Sequence, residues 1–354
     1  MSSANADLSK QIQTVRGAIP AADLGVTLSH EHCLIDLTCT LTDPETEAEK
    51  ERMGAPLSIK NVGYFRYHPL DNRDNLTLLD ENLAISELMH FRNAGGTSVV
   101  DATNVEICRD PPALVRISEA TGLNIIMGSG HYVKASMQVD EMASRTEEDI
   151  AEEIVSEVRY GVDGTGIRAG LIGEIGCSWP LEDLEIKVLR AAGMAQKETG
   201  APLMIHPGRD ETAPMEVVEI LAGAGADLSH TVISHIGRTL FNPDSRYRLA
   251  DRGCFLAYDL WGNEGHYPAS FSVIDVLNDT QRVAQIKDLI QKGYGDRLLI
   301  SHDICWKFRY MAYGGHGYAH ILQNGVPLMR NREMTSEEVD RLLVENPKHF
   351  YAFW

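Results

Sequence analysis

No run of apolar residues in this chain is long enough to span a bilayer. The stretch Met1 to Thr14 is polar and lacks the apolar segment of a secretory leader. There is no low-complexity tract, and no Gly-rich phosphate turn follows an early strand. The six cysteines, Cys33, Cys39, Cys108, Cys177, Cys254 and Cys305, form no Cys-x-x-Cys pair. Their scatter through apolar runs suits reduced, buried thiols rather than a disulfide framework. Positive charge is also scarce: 32 basic residues stand against 51 acidic ones, for a net charge of −19. That balance argues against binding nucleic acid or an anionic membrane face. A cytoplasmic protein is expected.

The chain has 354 residues, 44% of them hydrophobic, enough for a large core. A polar arm is expected over residues 1–13, then a short strand from Val15 to Ile19. After these, apolar strands and amphipathic helices alternate. The strands end near His32, Asp101, Gly128, Gly173, Ile205, Ile233, Ala257 and Ile300. Helix signals fill the gaps. Asp80 stands as an N-cap, Pro111 and Pro112 open a helix that Gly122 ends, and Thr146 with Asp149 forms a capping box. A last helix starts at Thr335 and ends before Pro347. Eight strand–helix repeats predict one (β/α)₈ TIM barrel over residues 1–354 rather than an open doubly wound sheet. The rhythm fails between residues 37 and 80, which reads as a long insertion or lid after the first strand.

Chemistry collects where these strands end. In Ser29-His30-Glu31-His32, strand alternation puts both imidazoles on one face and Glu31 on the other. Glu174 closes the fourth strand, His206 the fifth, His235 the sixth and Asp303 the eighth. All are metal ligands by type, and all fall at the barrel end where active sites are built. Six ligands exceed one zinc site, so two divalent ions are expected, with Glu174 as the bridge. His30, His32 and Asp303 would hold one ion, and His206 and His235 the other. A hydroxide between the ions would attack, and Asp303 would accept its proton. Zinc is the first choice of metal, with manganese, cobalt or iron as alternatives.

At this point the chain resembles the phosphotriesterase family of the amidohydrolase superfamily. The matching pieces are Gly25-Val26-Thr27-Leu28-Ser29-His30-Glu31-His32, Gly173-Glu174-Ile175-Gly176, Ile205-His206-Pro207-Gly208, Ser234-His235-Ile236-Gly237 and Ile300-Ser301-His302-Asp303. They span nearly the whole chain in the family order. The resemblance implies a barrel, a two-metal centre, hydrolysis and a homodimer. Founding phosphotriesterases bridge their ions with a carboxylated lysine. Glu174 stands there instead, as in a branch that includes proteins labelled resiniferatoxin-binding.

The expected reaction is hydrolysis of an ester or lactone, with phosphoesters close behind. The alternatives are an N-acyl amide hydrolase, a one-metal deaminase and a non-enzymatic binding barrel. The substrate is a small molecule. Arg209, Arg238 and Arg309 follow ligand strands and suit an anionic group on it. Tyr258 and Trp261 are further candidate contacts, and Tyr132 is a candidate to polarise a carbonyl. His131, His266, His302 and His316 are possible pocket residues, and Gly314 to Tyr318 is a candidate lid.

Overall fold

Eight short strands hydrogen-bond in sequence order, all parallel. They are β1 (Thr27–Glu31), β2 (Ser98–Asp101), β3 (Asn124–Ser129), β4 (Leu171–Gly176), β5 (Leu203–His206), β6 (Thr231–Ile233), β7 (Phe255–Tyr258) and β8 (Leu298–Ile300). The computed structural model describes residues 10–269 and 272–354. Helices cover the outer face of the sheet, so nearly every strand residue is buried, and the strands read as apolar runs. Past β8, the Asp303 N–H donates to the His30 carbonyl at 3.1 Å, which joins the last strand to the first. The result is a (β/α)₈ barrel.

Inward residues such as Val100, Ile126, Leu171, Met204, Val232 and Leu299 pack as one cluster. Ile12, Leu24, Phe350 and Tyr351 join it. Leu24 precedes β1, so this plug fills the end opposite the histidines. The other strand faces pack against the helices in a larger core. Helix ends follow local chemistry. Asp80 accepts from Leu83 N, Thr146 and Asp149 form a capping box, and Gly122 ends its helix at φ 70°.

Four local expectations need correction. Within the expected N-terminal arm, residues 1–9 lie outside the described residues, and Gln11–Thr14 is a strand paired with Gly17–Pro20. Ile12 is fully buried and anchors it, and the strand expected over Val15 to Ile19 begins only at Gly17, φ 118°, after a turn at Val15 and Arg16. The C-terminal helix does not stop before Pro347. It runs from Ser336–Asp340 through a wider turn, Arg341–Glu345, into Asn346–Tyr351. Pro347 sits in the first turn of that last piece, where proline is tolerated. An unexpected hairpin, Gly265–Ala269 with Ser272–Val276, follows β7. Finally, not every thiol is buried: Cys108 is exposed and Cys39 half-buried, and no cysteine is in a disulfide.

The stretch from 37 to 80 leaves and returns through a two-residue ladder, Ile35–Asp36 with Thr77–Leu78. It carries the helix Glu47–Gly54 and a shorter turn, Val62–Phe65. Asn75 and Arg66 tie it to the segment after β8. Lys307 N donates to Asn75 O at 2.9 Å, and Arg66 to Gly314 O at 2.7 Å. Among the described residues no helix is long and apolar enough to cross a membrane.

Candidate metal centre

Two glycines let the ligand strands approach. A Cβ on Gly128 of β3 would lie 2.1 Å from Gly173 O, and one on Gly173 of β4 would lie 2.3 Å from Met204 O of β5. Any side chain there would push β4, and Glu174 with it, off its neighbours.

Glu174 lies at the centre of four imidazoles. Its Oε2 is 3.2 Å from His206 Nδ1, 3.3 Å from His30 Nε2 and 3.6 Å from His235 Nε2. Its Oε1 is 3.6 Å from His32 Nε2. Asp303 Oδ1 lies 3.3 Å from His32 Nε2 and 3.8 Å from His30 Nε2. The six residues therefore meet at the C-terminal mouth. They form two groups with convergent ligand atoms, His30–His32–Asp303 and Glu174–His206–His235, and a third such group joins His30 and His235 to Asp259.

Charge follows position. Burial opposes ionisation of Glu174, but His30 and His206 outweigh it and hold the carboxyl well below its usual range. Burial likewise opposes protonation of His30, yet the Glu174 and Asp259 carboxylates hold it well above an ordinary histidine. His206 goes the other way: burial, with His235 and Arg238 nearby, lowers it to about 3. It is a neutral, ligand-ready imidazole. His30 Nε2 is buried and makes no hydrogen bond, although Glu174 is beside it. An orphaned imidazole nitrogen among carboxylates, with every donor an N or O atom, is a donor set that fits divalent cations.

Asp259, absent from the expected set, belongs to this centre. It is 1% exposed and bridges ligands from both groups. Its Oδ2 is 2.9 Å from His30 Nδ1, and its Oδ1 is 3.0 Å from His235 Nδ1 and accepts from His235 N at 2.9 Å. A carboxylate on the far nitrogen fixes which tautomer each ring presents to the centre. The signal was present in the sequence. In β7, Phe255 and Ala257 face inward, so alternation carries Asp259 inward as well. Thr103 does the same service for His32, at 2.9 Å from its Nδ1.

Tyr132, Arg209 and Arg238 line the cleft above these ligands, together with Leu37, Tyr267 and Trp306. The Tyr132 hydroxyl is 3.4 Å from His206 Nδ1. Burial, then the Glu174 charge, pushes that phenol well above its usual range, so it stays a proton donor. Arg238 Nη2 lies 3.1 Å from His206 Nε2.

Three expected contacts do not reach this cleft. Tyr258 is the outward residue between Ala257 and Asp259, and its hydroxyl donates to Gln285 Oε1 at 3.0 Å. Trp261 is fully buried against Gly325. Arg309 donates to Trp261 O at 2.6 Å and lines a neighbouring hollow with Arg66 and His316. His131, His266 and His302 are engaged elsewhere, with Glu106, Tyr67 and Glu31 in turn. In the expected lid at Gly314 to Tyr318, Gly314 and His316 are exposed and the C-terminal end is buried. Tyr318 is fully buried and donates to His32 O at 2.7 Å. Tyr267, from the hairpin after β7, lines the cleft and is set edge-on to Trp306.

A barrel with clustered histidines and carboxylates at its C-terminal mouth defines the metal-dependent hydrolases of this architecture. The model of the phosphotriesterase family matches residues 10–351. The chain belongs to that family, and it is a metal-dependent hydrolase. An N-acetyltaurine hydrolase from Salmo salar is 43% identical over 98% of this chain and 99% of its own. A resiniferatoxin-binding protein from Rhodobacter sphaeroides superimposes with a TM-score of 0.93 at 39% identity, covering 97% of this chain and 95% of its own. A lactonase from Listeria monocytogenes gives 0.78 at 25% identity, over 97% and 99%.

Proposed function

We propose that this hydrolase cleaves the amide bond of small N-acylated amines whose amine part carries an anionic group, a sulfonate or a carboxylate. One observation carries the reading. Two guanidinium groups, Arg209 and Arg238, share a cleft with the Glu174-centred ligands, and neither has a carboxylate partner among the described residues. Arg238 is buried and Arg209 half-buried. Of the other buried arginines, Arg246 has Asp288 and Arg282 has Asp279, while Arg309, outside this cleft, is held by the Trp261 carbonyl. A buried cation without a counter-charge is costly, and a substrate anion would supply one. N-acetyltaurine, the acetyl amide of an aminosulfonate, has this form, and it names the relative at 43% identity.

Six side chains would hold two ions, zinc first, with manganese, cobalt or iron as alternatives. His30, His32 and Asp303 would serve one, His206 and His235 the other, and Glu174 both. When bound, the ions would polarise the acyl carbonyl and lower the pKa of the attacking water. The chain's own groups do the rest. Asp303 accepts the proton of the attacking water and passes it to the leaving nitrogen as the C–N bond breaks. The Tyr132 hydroxyl donates toward the carbonyl oxygen. Arg209 and Arg238 hold the anionic tail and so fix the amide over the ions. Leu37 and Trp306 line the cleft and keep bulk water away.

A second reading is hydrolysis of lactones, favoured by the likeness to the Listeria lactonase. The test is a panel of N-acetyltaurine, N-acetyl amino acids, their uncharged amide analogues, lactones and phosphoesters, run on enzyme loaded with each metal in turn. Fastest turnover of the anionic amides, with Arg209→Ala impaired on them alone, supports the proposal. Faster turnover of lactones or uncharged amides overturns it.

A further inference from the structure

Asp303 has an unusual backbone. Its φ is 53°, a left-handed conformation that a non-glycine residue keeps only where its surroundings enforce it. The enforcing group is Glu31, the middle residue of His30-Glu31-His32. Its side chain points away from the metal ligands on either side of it and crosses the seam between β1 and β8. Oε1 accepts from His302 N at 2.8 Å, and Oε2 accepts from Ile304 N at 3.0 Å. One carboxylate thus grips the chain immediately before and immediately after Asp303. Oε1 also accepts from Ser301 Oγ at 2.8 Å and from His302 Nδ1 at 2.7 Å.

His302 completes the brace. Its Nε2 receives the backbone N–H of Ile321 at 3.1 Å, so the ring proton is on Nδ1, facing Glu31. Both Glu31 and His302 are fully buried. The same device recurs at His235, the other ligand with a left-handed backbone, φ 58°, whose N–H is held by Asp259.

We propose that Glu31 is a positioning residue. It holds the left-handed turn that presents Asp303 to the His30–His32 ligand pair, and so couples the first and last strands' contributions to the centre. This rests on the reading of Asp303 as a ligand and proton acceptor. A glutamine cannot replace the carboxylate. Whichever way its amide turns, an NH₂ group faces a backbone N–H that needs an acceptor.

The test uses the full chain carrying Glu31→Gln, with His302→Asn as a second variant, because Glu31→Gln can fail to fold. Amide hydrogen exchange over residues 301–304 is measured alongside metal content, kcat and KM. Faster exchange over 301–304 with the helix Glu81–Asn93 unchanged, kcat down about 10–100-fold and KM within a few-fold is the expected result. A general loss of stability would raise exchange in that helix too, and is a result against the proposal. Wild-type exchange and kcat in the variant that folds overturn it. If the wild type cleaves none of the panel, exchange and metal content still decide this proposal, apart from the choice of substrate.

Discussion

Glu174 and Asp303 are both carboxylates in one cluster, but their surroundings assign them different work. Glu174 is in contact with four imidazoles and is 2% exposed. Glu174→Ala should therefore cost at least one ion per chain, read by elemental analysis, and at least about 100-fold in activity. Asp303 sits at the rim, with its side chain 13% exposed. Asp303→Asn should retain part of the metal and lose about 10²–10⁴-fold in kcat. Arg209→Ala or Arg238→Ala should raise KM for anionic substrates, by ~1.5–3 kcal/mol of lost charge-assisted hydrogen bonding, with a smaller change in kcat. Uncharged analogues should not feel the loss of Arg209, whereas Arg238, which also contacts His206, should affect both.

Six of the residues in this centre were legible because each ends a strand or follows one closely, where the chain's own period aims it. Asp259 was not, because it lies two residues past the apolar run that ends at Ala257, with Tyr258 between them. Trp261 and Arg309 misled for a related reason. Proximity in sequence to a ligand strand says which end of the barrel a residue occupies, not which way its side chain turns.

Single elements were legible where caps and periodicity agreed, as at Asp80, Pro111 and Thr146. The hairpin Gly265–Ala269 with Ser272–Val276 was not: its one proline and its polar residues interrupt the alternation that marks a strand. Its approach is fixed by Asp279 on the following helix. Asp279 accepts from Gly262 N at 3.0 Å and contacts His320 at 2.7 Å. Burial opposes its ionisation, but His320 and Arg282 prevail and hold it well below the usual carboxylate range. A depressed carboxyl stabilises the fold above the unfolded-state value near pH ~4. That contribution is lost as pH falls from there through the folded value. The difference in melting temperature between the wild type and Asp279→Asn should be largest at neutral pH and should shrink as pH drops below about 4. A difference that grew on acidification would contradict this account of the loop.

For the whole molecule, the alternation of apolar strands with capped helices carried the barrel, because parallel strands buried on both faces leave a plain signature. The Ile12 strand and the plug it forms with Phe350 and Tyr351 depend on contacts between chain ends, which no local pattern announces. The barrel also explains how residues 273 positions apart in sequence, His30 and Asp303, come to share a centre, with the β1–β8 seam passing through both. Ions that bind only the folded chain stabilise it by mass action, ~3 kcal/mol at a hundredfold excess over Kd. Removing them with a chelator should lower the melting temperature, and restoring the metal should recover it. A chelator-insensitive transition in a protein shown to contain metal would contradict the placement of the ions across strands.

The most direct test is anomalous diffraction from crystals of the metal-loaded protein, combined with a metal count per chain. The account predicts two ions, one against His30, His32 and Asp303 and the other against His206 and His235, with Glu174 touching both. A single ion under metal-rich conditions, or a Glu174 carboxylate that touches neither, would contradict it.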